Sequence, residues 1–119
     1  MYSETDSDQE INAVILREMI DRLPSGMAGL LFDKLSQECD RLINILKDES
    51  LNTIDTANAA HEFKGMLSNF GLVKASEIAS EIENCGKPGN EISENVDRLK
   101  RSVSQGMRQA EEIIKNEVD

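Results

Sequence analysis

The sequence TANAAHEFKGMLSNFG, residues 56–71, decides the fold because its apolar residues recur with a helical period. At about 100° per residue, one side of this helix collects the apolar and small side chains, and that side must face the core. His61 lies almost directly opposite, among small or polar residues. We therefore predict a helix with one buried face and an exposed imidazole. The predicted buried face consists of Thr56, Ala59, Ala60, Phe63, Leu67 and Phe70.

The segment before residue 24 predicts a first, shorter helix from about Asp8 to Arg22. Ser7 and Glu10 have the spacing of a capping box, in which the hydroxyl and the carboxylate satisfy free backbone N–H groups. The helix ends before Pro24, because a proline disfavours helical geometry in the residue that precedes it. Its predicted apolar face consists of Ile11, Val14, Ile15, Met19 and Ile20.

Four longer helices follow, separated by short breaks. Ser25 is a candidate N-cap for the second helix, and Asn90 is a candidate N-cap for the last. Gly71 interrupts the third helix, and Gly86 is a candidate C-cap for the fourth. No segment alternates apolar and polar residues over a convincing length, so we predict an all-α fold: an antiparallel four-helix bundle with an additional short N-terminal helix across one end. The approximate predicted segments are Gly26–Asp48, Leu51–Phe70, Val73–Cys85 and Ile92–Ile114.

Composition limits the size of the fold and the kinds of partner. A length of 119 residues predicts one domain over residues 1–119, with residues 1–6 as a flexible tail. Aromatic residues make up only 3% of the chain, so the core must be mainly aliphatic, which favours helices. A net charge of −10 repels phosphate backbones and anionic lipids, so we expect neither a nucleic-acid partner nor a membrane partner.

The cysteines and the single histidine limit the possible chemistry. Cys39 and Cys85 lie in apolar helical patterns rather than in a paired spacing, so we expect two reduced, buried thiols, with a disulfide as the alternative. One histidine without a Cys or His cluster provides almost nothing for a zinc site, so we expect no metal and no bound cofactor. The acidic, polar N-terminus is the opposite of a signal peptide, so we expect a cytoplasmic protein.

The face of the third helix around His61 is suited to transient covalent attachment. Gly65 lies one turn later on the same face and clears the approach to the ring, because a helix-interior glycine costs roughly 1 kcal/mol and is best tolerated where a partner must come close. Lys64 lies beside this face and offers a flexible cation. An accessible nucleophilic imidazole with a nearby cation can carry a phosphoryl group. The other members of this face are Ile54, Ala57, Asn58 and Ser68.

These residues resemble a known family. The string His-x-Phe-Lys-Gly followed by Phe-Gly looks like the active helix of histidine-containing phosphotransfer (HPt) domains, and the run Ala-Ser-Glu-Ile-Ala-Ser-Glu-Ile-Glu after it is similar to the next helix of that family. The resemblance implies that His61 is the phosphorylated residue, Lys64 the charge-stabilising lysine and Gly65 the clearance glycine. Glu83 falls where the family often has a Gln or Glu that hydrogen-bonds the ring.

Two positions depart from the family pattern. Many members have small residues at the two positions after the glycine, whereas this chain has Met66 and Leu67. Both are predicted to point toward the core, so we expect altered packing rather than lost function. The small residue that follows is retained as Ser68, and Lys64 and Lys74 are expected near the site, where they offset the acidity of the chain.

The resemblance implies a two-component phosphorelay. In it, a histidine kinase or its receiver domain supplies the phosphoryl group, and a response-regulator receiver aspartate accepts it from the histidine. Mg²⁺ is expected on the receiver domain. No Gly-rich nucleotide loop is present, so we predict a stoichiometric phosphocarrier without ATP binding or autokinase activity, and a monomer. The residues expected to contact the partner are Ile11, Ile15, Glu18, Ala57, Asn58 and Ser68.

Two other classes of function are open on the sequence. One is a helical adaptor that binds receiver or kinase domains without phosphotransfer, with His61 incidental. The other is a histidine-based hydrolase, which needs a second catalytic group and a pocket. No Ser, Cys or Asp stands at a recognisable nucleophile spacing, so the hydrolase ranks last. Replacing His61 with Gln separates a relay from an adaptor.

Overall fold

The computed structural model of the chain describes residues 10–118. Within that range it contains five α-helices, one 3₁₀ turn at Gly89–Glu91 and no β-strand, so the predicted all-α fold is confirmed. The predicted N-terminal tail lies outside the described residues. The helices are α1 (Ala13–Asp21), α2 (Ala28–Leu46), α3 (Thr53–Asn69), α4 (Val73–Asn84) and α5 (Ser93–Val118).

The four longer helices form the predicted antiparallel bundle. α2 packs against α3 and α5, α4 packs against α3 and α5, and the short α1 packs on α5. The most extensive contact is between α3 and α4, the pair joined by the shortest connection. A single cluster of buried apolar side chains connects all five helices. Its largest fully buried members are Phe63, Leu16, Leu42, Leu46, Leu67, Leu72, Ile82, Ile92 and Leu99.

The helical period of residues 56–71 predicted the buried face of α3. Five of its six residues are buried, and Phe70, at the C-terminal end of the helix, is half-buried. Asn52 caps the helix, since its side-chain oxygen accepts a hydrogen bond from the backbone N–H of Asp55 at 2.7 Å. This packing fixes the rotation of α3 and turns the opposite side to solvent.

The predicted start of the first helix is wrong. Ser7 and Asp8 lie outside the described residues, and the described helix α1 begins only after Asn12, whose side chain accepts hydrogen bonds from Val14 N (3.0 Å) and Ile15 N (3.3 Å). Glu10 is not part of a helix, and the predicted capping box lies outside the described residues because it includes Ser7. Two residues of α5 hold Glu10 in place: the Ser102 hydroxyl donates to its buried carboxylate, and the side-chain oxygen of Gln109 accepts from its backbone N–H at 3.0 Å.

The predicted apolar face of the first helix is also partly wrong. Val14 is 62% exposed, whereas Leu16, which the predicted face omits, is the buried residue of α1. The reason is that α1 sits on the α3–α4 turn and on α5, and only part of its circumference meets the bundle. Ile15, Met19 and Ile20 are half-buried.

Two predicted N-caps do not form. α2 begins at Ala28, with Met27 at the cap position and no side-chain cap, because residues 24–27 form a turn in which Met27 N bonds Pro24 O at 3.2 Å. Ser25 therefore does not cap the helix. Asn90 lies inside the 3₁₀ turn rather than before α5, which begins at Ser93. The prediction at the end of α4 is confirmed in substance, since Gly86 follows the last helical turn with φ +68°.

Both cysteines are free thiols, so the disulfide alternative is excluded in this structure. Cys39 is buried in the core as expected, and burial, with the nearby Asp40 and Glu38 carboxylates, raises the pKa of its thiol to about 12. Cys85 is only half-buried, at the end of α4, where its Sγ lies 3.1 Å from the carbonyl oxygen of Ile82.

The connection between α3 and α4 is the tightest in the bundle. Gly71 has φ +80°, a left-handed conformation that favours glycine. A Cβ on Gly71 would lie 2.8 Å from the carbonyl oxygen of Asn12, and Asn12 N donates to Gly71 O at 2.6 Å. Leu72 N closes the end of α3 by bonding Leu67 O at 2.9 Å. The turn therefore joins α3, α4 and the start of α1.

We expect Gly71→Ala to destabilise the fold by about 2–4 kcal/mol, because alanine meets both the left-handed backbone and the Asn12 carbonyl. Gly86→Ala is the matched control. Gly86 also has a positive φ, but a Cβ there meets nothing within 4 Å, so its loss should be only about 1 kcal/mol. Urea unfolding of the two variants checks this, and equal losses would contradict the close approach at Gly71.

Candidate functional site

His61 lies in the middle of α3 with its imidazole directed away from the core. Its side chain is 67% exposed, while the adjacent core residues Ala60 and Phe63 are fully buried. Because these two side chains lock the helix against the bundle, the exposure of the ring follows from the packing of α3. The sequence prediction of an exposed histidine is confirmed.

Glu83 on α4 holds one nitrogen of the ring. The His61 Nδ1 atom and the Glu83 Oε2 atom are 2.8 Å apart. A carboxylate only accepts hydrogen bonds, so the neutral ring carries its proton on Nδ1 and donates it to Glu83. The lone pair of Nε2 is then available on the solvent side. The chemistry that this arrangement supports is nucleophilic attack by Nε2.

Lys64 forms an ion pair with the second oxygen of the same carboxylate. Its Nζ lies 3.2 Å from Glu83 Oε1. The Lys64 ammonium lowers the pKa of Glu83; partial desolvation opposes this shift, and the hydrogen bond with His61 adds to it. The carboxylate is therefore ionised at neutral pH and binds both side chains. The sequence predicted that Lys64 lies beside the ring, but it did not indicate that Lys64 also pairs with Glu83.

Gly65 is exposed one turn after His61. A Cβ at this position would meet no atom within 4 Å, and the backbone is ordinary helix, so the fold itself does not require glycine there. Ser68 continues the same face, and its Oγ lies 2.6 Å from Ser76 Oγ on α4. The Ser76 hydroxyl also lies 3.2 Å from Lys64 O, so hydroxyl groups link α3 to α4 beside the site.

The α2 side of His61 carries an ion-pair cluster that the sequence analysis missed. Arg41 lies 2.5 Å from a carboxylate oxygen of Glu62, the residue after His61, and 3.0 Å from an oxygen of Glu38. The spacing of Glu38 and Arg41 on one helix signals their pairing. The contact with Glu62 depends on how α2 and α3 pack, which periodicity does not give.

An apolar groove of about 370 Å³ lies between α2 and α3, next to this cluster. Met66 and Phe70 of α3 form one wall, and Glu62 stands at the same side. The expectation that Met66 and Leu67 point toward the core is confirmed for Leu67, which is fully buried, and only in part for Met66, which is half-buried, packs against the edge of the core and also lines the groove. The α2 residues that line the groove are Leu31, Lys34, Leu35 and Glu38.

The expected partner-contact residues differ in exposure. The prediction that Ile11 contacts the partner is wrong, because this residue is only 5% exposed and belongs to the core. Ile15 is half-buried against the α3–α4 turn, and Glu18 is exposed on α1. On α3, Asn58 and Ser68 are exposed and Ala57 is half-buried.

Lys74 is not near the site. It lies 3.7 Å from the Glu10 carboxylate, and it precedes Glu83 by nine residues, about 14 Å along α4. The error arises because Lys74 belongs to the first turn of α4, at the end of the helix remote from His61. The local positive charge at the site comes instead from Lys64 and Arg41.

Two features are absent from the described part of the chain. No group of three or more His, Cys, Asp or Glu side chains in residues 10–118 could hold a metal ion. No helix in that range combines the length and the apolar character that crossing a membrane requires.

Comparison with known families gives the class of the protein. The family model described as "Hpt domain" matches residues 26–108, which contain α2, α3, α4 and more than half of α5. The chain belongs to the Hpt domain family. Domains of this family are phosphocarriers in two-component signalling, where they interact with receiver domains and histidine kinases. Comparisons with curated proteins and with solved structures gave no match.

The ion pair with Lys64 makes the Glu83 titration testable. A lowered pKa means that the carboxylate stays ionised below pH 4.5, its ordinary value, and that the stability it contributes is lost only as pH falls through the lowered value. In Lys64→Met, the midpoint of the Glu83 titration should move up toward pH 4.5. Lys34→Met on α2 is the control that should leave it unchanged. Carboxyl NMR titration measures the midpoint, and identical midpoints in Lys64→Met and wild type would refute the pairing.

Proposed function

We propose that the chain relays a phosphoryl group through His61, from a histidine kinase or its receiver domain to the receiver aspartate of a response regulator. The observation that carries the proposal is the exposed ring whose Nδ1 is held by Glu83, which leaves Nε2 free to attack. The membership in the Hpt family supports the same chemistry.

The transfer step needs no group beyond the two proteins and the receiver's Mg²⁺. Nε2 of His61 attacks the phosphorus of the receiver's aspartyl phosphate in line, the N–P bond forms, and the aspartate leaves as a carboxylate. The proton on Nδ1 stays where it is. The ring becomes positively charged, and the Glu83 carboxylate 2.8 Å away stabilises that charge. Transfer to the next receiver reverses these bond changes.

Two neighbours complete the reacting face. Lys64 supplies positive charge beside the acceptor, although it shares that charge with Glu83. Gly65 leaves open space one turn from the ring, so that the backbone of a receiver loop can approach Nε2. Both roles are proposals that rest on this geometry and on the family resemblance.

The docking surface that we propose is centred on α3. It includes Ala57, Asn58 and Ser68 around the ring and continues into the apolar groove between α2 and α3. Glu18 and the exposed side of α1 form its margin. A relay partner must leave after each transfer, so we expect a small interface and a monomeric carrier. We further infer a stoichiometric carrier that binds no ATP and does not phosphorylate itself.

His61→Gln tests the proposal directly. We expect the variant to accept no phosphoryl group from a receiver charged with acetyl phosphate and Mg²⁺, because glutamine lacks the nucleophilic nitrogen. Wild type should gain one acid-labile, base-stable phosphoryl group, measured by intact mass. The ring is exposed, so the bundle should stay folded. If the wild-type chain binds receiver domains but takes no phosphoryl group from them, the adaptor hypothesis is favoured instead.

Gly65→Ala separates access from folding. Alanine suits a helix better than glycine by up to about 1 kcal/mol and meets no atom here, so the variant should be at least as stable as wild type. Its phosphotransfer should nevertheless slow by about tenfold, equivalent to about 1.4 kcal/mol in the barrier. Gly29→Ala on α2 is the matched control, because a Cβ there also meets nothing within 4 Å. Unchanged transfer in Gly65→Ala would remove the clearance role.

A further inference from the structure

The two cations that flank His61 are both already bonded to carboxylates. Lys64 pairs with Glu83 at 3.2 Å on the α4 side. Arg41 pairs with Glu62 at 2.5 Å and with Glu38 at 3.0 Å on the α2 side. These two groups of ion pairs contain three carboxylates for two cations, and Lys34 of α2 lines the groove beside Glu38 and Glu62. The Glu62 carboxylate belongs to the residue that directly follows His61, so a phosphoryl group on the ring is attached beside it. Each cation already shares its charge with at least one carboxylate, so less of that charge acts on a phosphoryl group.

We infer that the Glu62 carboxylate raises the transfer potential of phosphorylated His61. The inference rests on the proposed function. It concerns the direction of the relay: a chain that holds its phosphoryl group against repulsion gives it up readily to a receiver aspartate. Glu62 is the best placed of the carboxylates, since it directly follows His61, is 56% exposed and does not touch the ring nitrogen.

The reaction that this charge biases is balanced between two proteins. The N–P bond at Nε2 breaks, an O–P bond forms on the receiver aspartate, and the ring keeps its Nδ1 proton. Glu62 is ionised before and after the step, and it repels only the phosphorylated form of this chain. Removing its charge therefore shifts the equilibrium constant toward phosphorylated His61. A docking role would change the forward and reverse rates together and leave that constant unchanged.

The size of the effect follows from Coulomb's law and screening. A phosphoryl group adds nearly two negative charges, and on the order of 9 Å separates it from a carboxylate on the next residue of a helix. In a water-like surrounding this predicts about a twofold shift at physiological salt. At roughly 0.01 M salt, where the Debye length is about 30 Å, the same charge predicts a shift of about threefold or more.

The test measures the ratio of phosphorylated chain to phosphorylated receiver at equilibrium, for Glu62→Gln, Glu38→Gln and wild type. Glu111→Gln is the control of equal charge change. Glu111 lines a groove beside Leu30. Leu30 precedes Arg41 by eleven residues and therefore lies about 16 Å from it along α2, so Glu111 is remote from the ion pairs near His61. At low salt, Glu62→Gln should raise the fraction on His61 about threefold, Glu38→Gln less, and Glu111→Gln least. At roughly 1 M salt the differences should vanish.

Two results would overturn the inference: a ratio in Glu62→Gln that equals the Glu111→Gln ratio at low salt, or a shift that persists undiminished in high salt. A shift toward the receiver would also overturn it, because the sign is opposite. Failure of the proposed function is visible separately, since wild type itself would then take no phosphoryl group and no ratio would exist for any variant.

Discussion

The tight turn between α3 and α4 sets the register on which the site depends. Gly71 reverses the chain in a left-handed conformation, and the two helices leave the turn side by side. His61 and Glu83 each lie eleven residues from Leu72, so they meet across the pair at 2.8 Å. One residue more in the turn would rotate α4 by about 100° and move the carboxylate away from the ring. The reactive nitrogen is thus defined by backbone geometry ten residues away.

Packing and charge have different roles at the site. Buried Ala60 and Phe63 hold α3 so that the imidazole faces solvent, and Glu83 fixes which ring nitrogen can react. Lys64 pairs with Glu83, and Arg41 pairs with carboxylates on both α2 and α3. The site therefore combines a well-oriented nucleophile with cations that share their charge with carboxylates.

Local sequence pattern predicted what a single helix determines. The exposure of His61 and the position of Gly65 follow from one helical period, and both were correct. Glu83 was predicted from family resemblance, because its contact requires the register of two helices. The start of α1 could not be predicted, since Glu10 lies outside the helix and bonds residues of α5 that are more than ninety positions away in the sequence. The pairing of Arg41 with Glu62 was missed for the same reason: it depends on tertiary packing.

The most direct test of the central claim is to locate the phosphoryl group on the ring. Phosphorus–nitrogen NMR of the chain labelled with ¹⁵N in histidine, phosphorylated by a receiver domain, identifies the bonded nitrogen. The account predicts a single phosphoryl group on Nε2 of His61, with the Nδ1 proton retained beside Glu83. A phosphoryl group on Nδ1 would contradict it, because that nitrogen is the one that Glu83 holds in the folded chain.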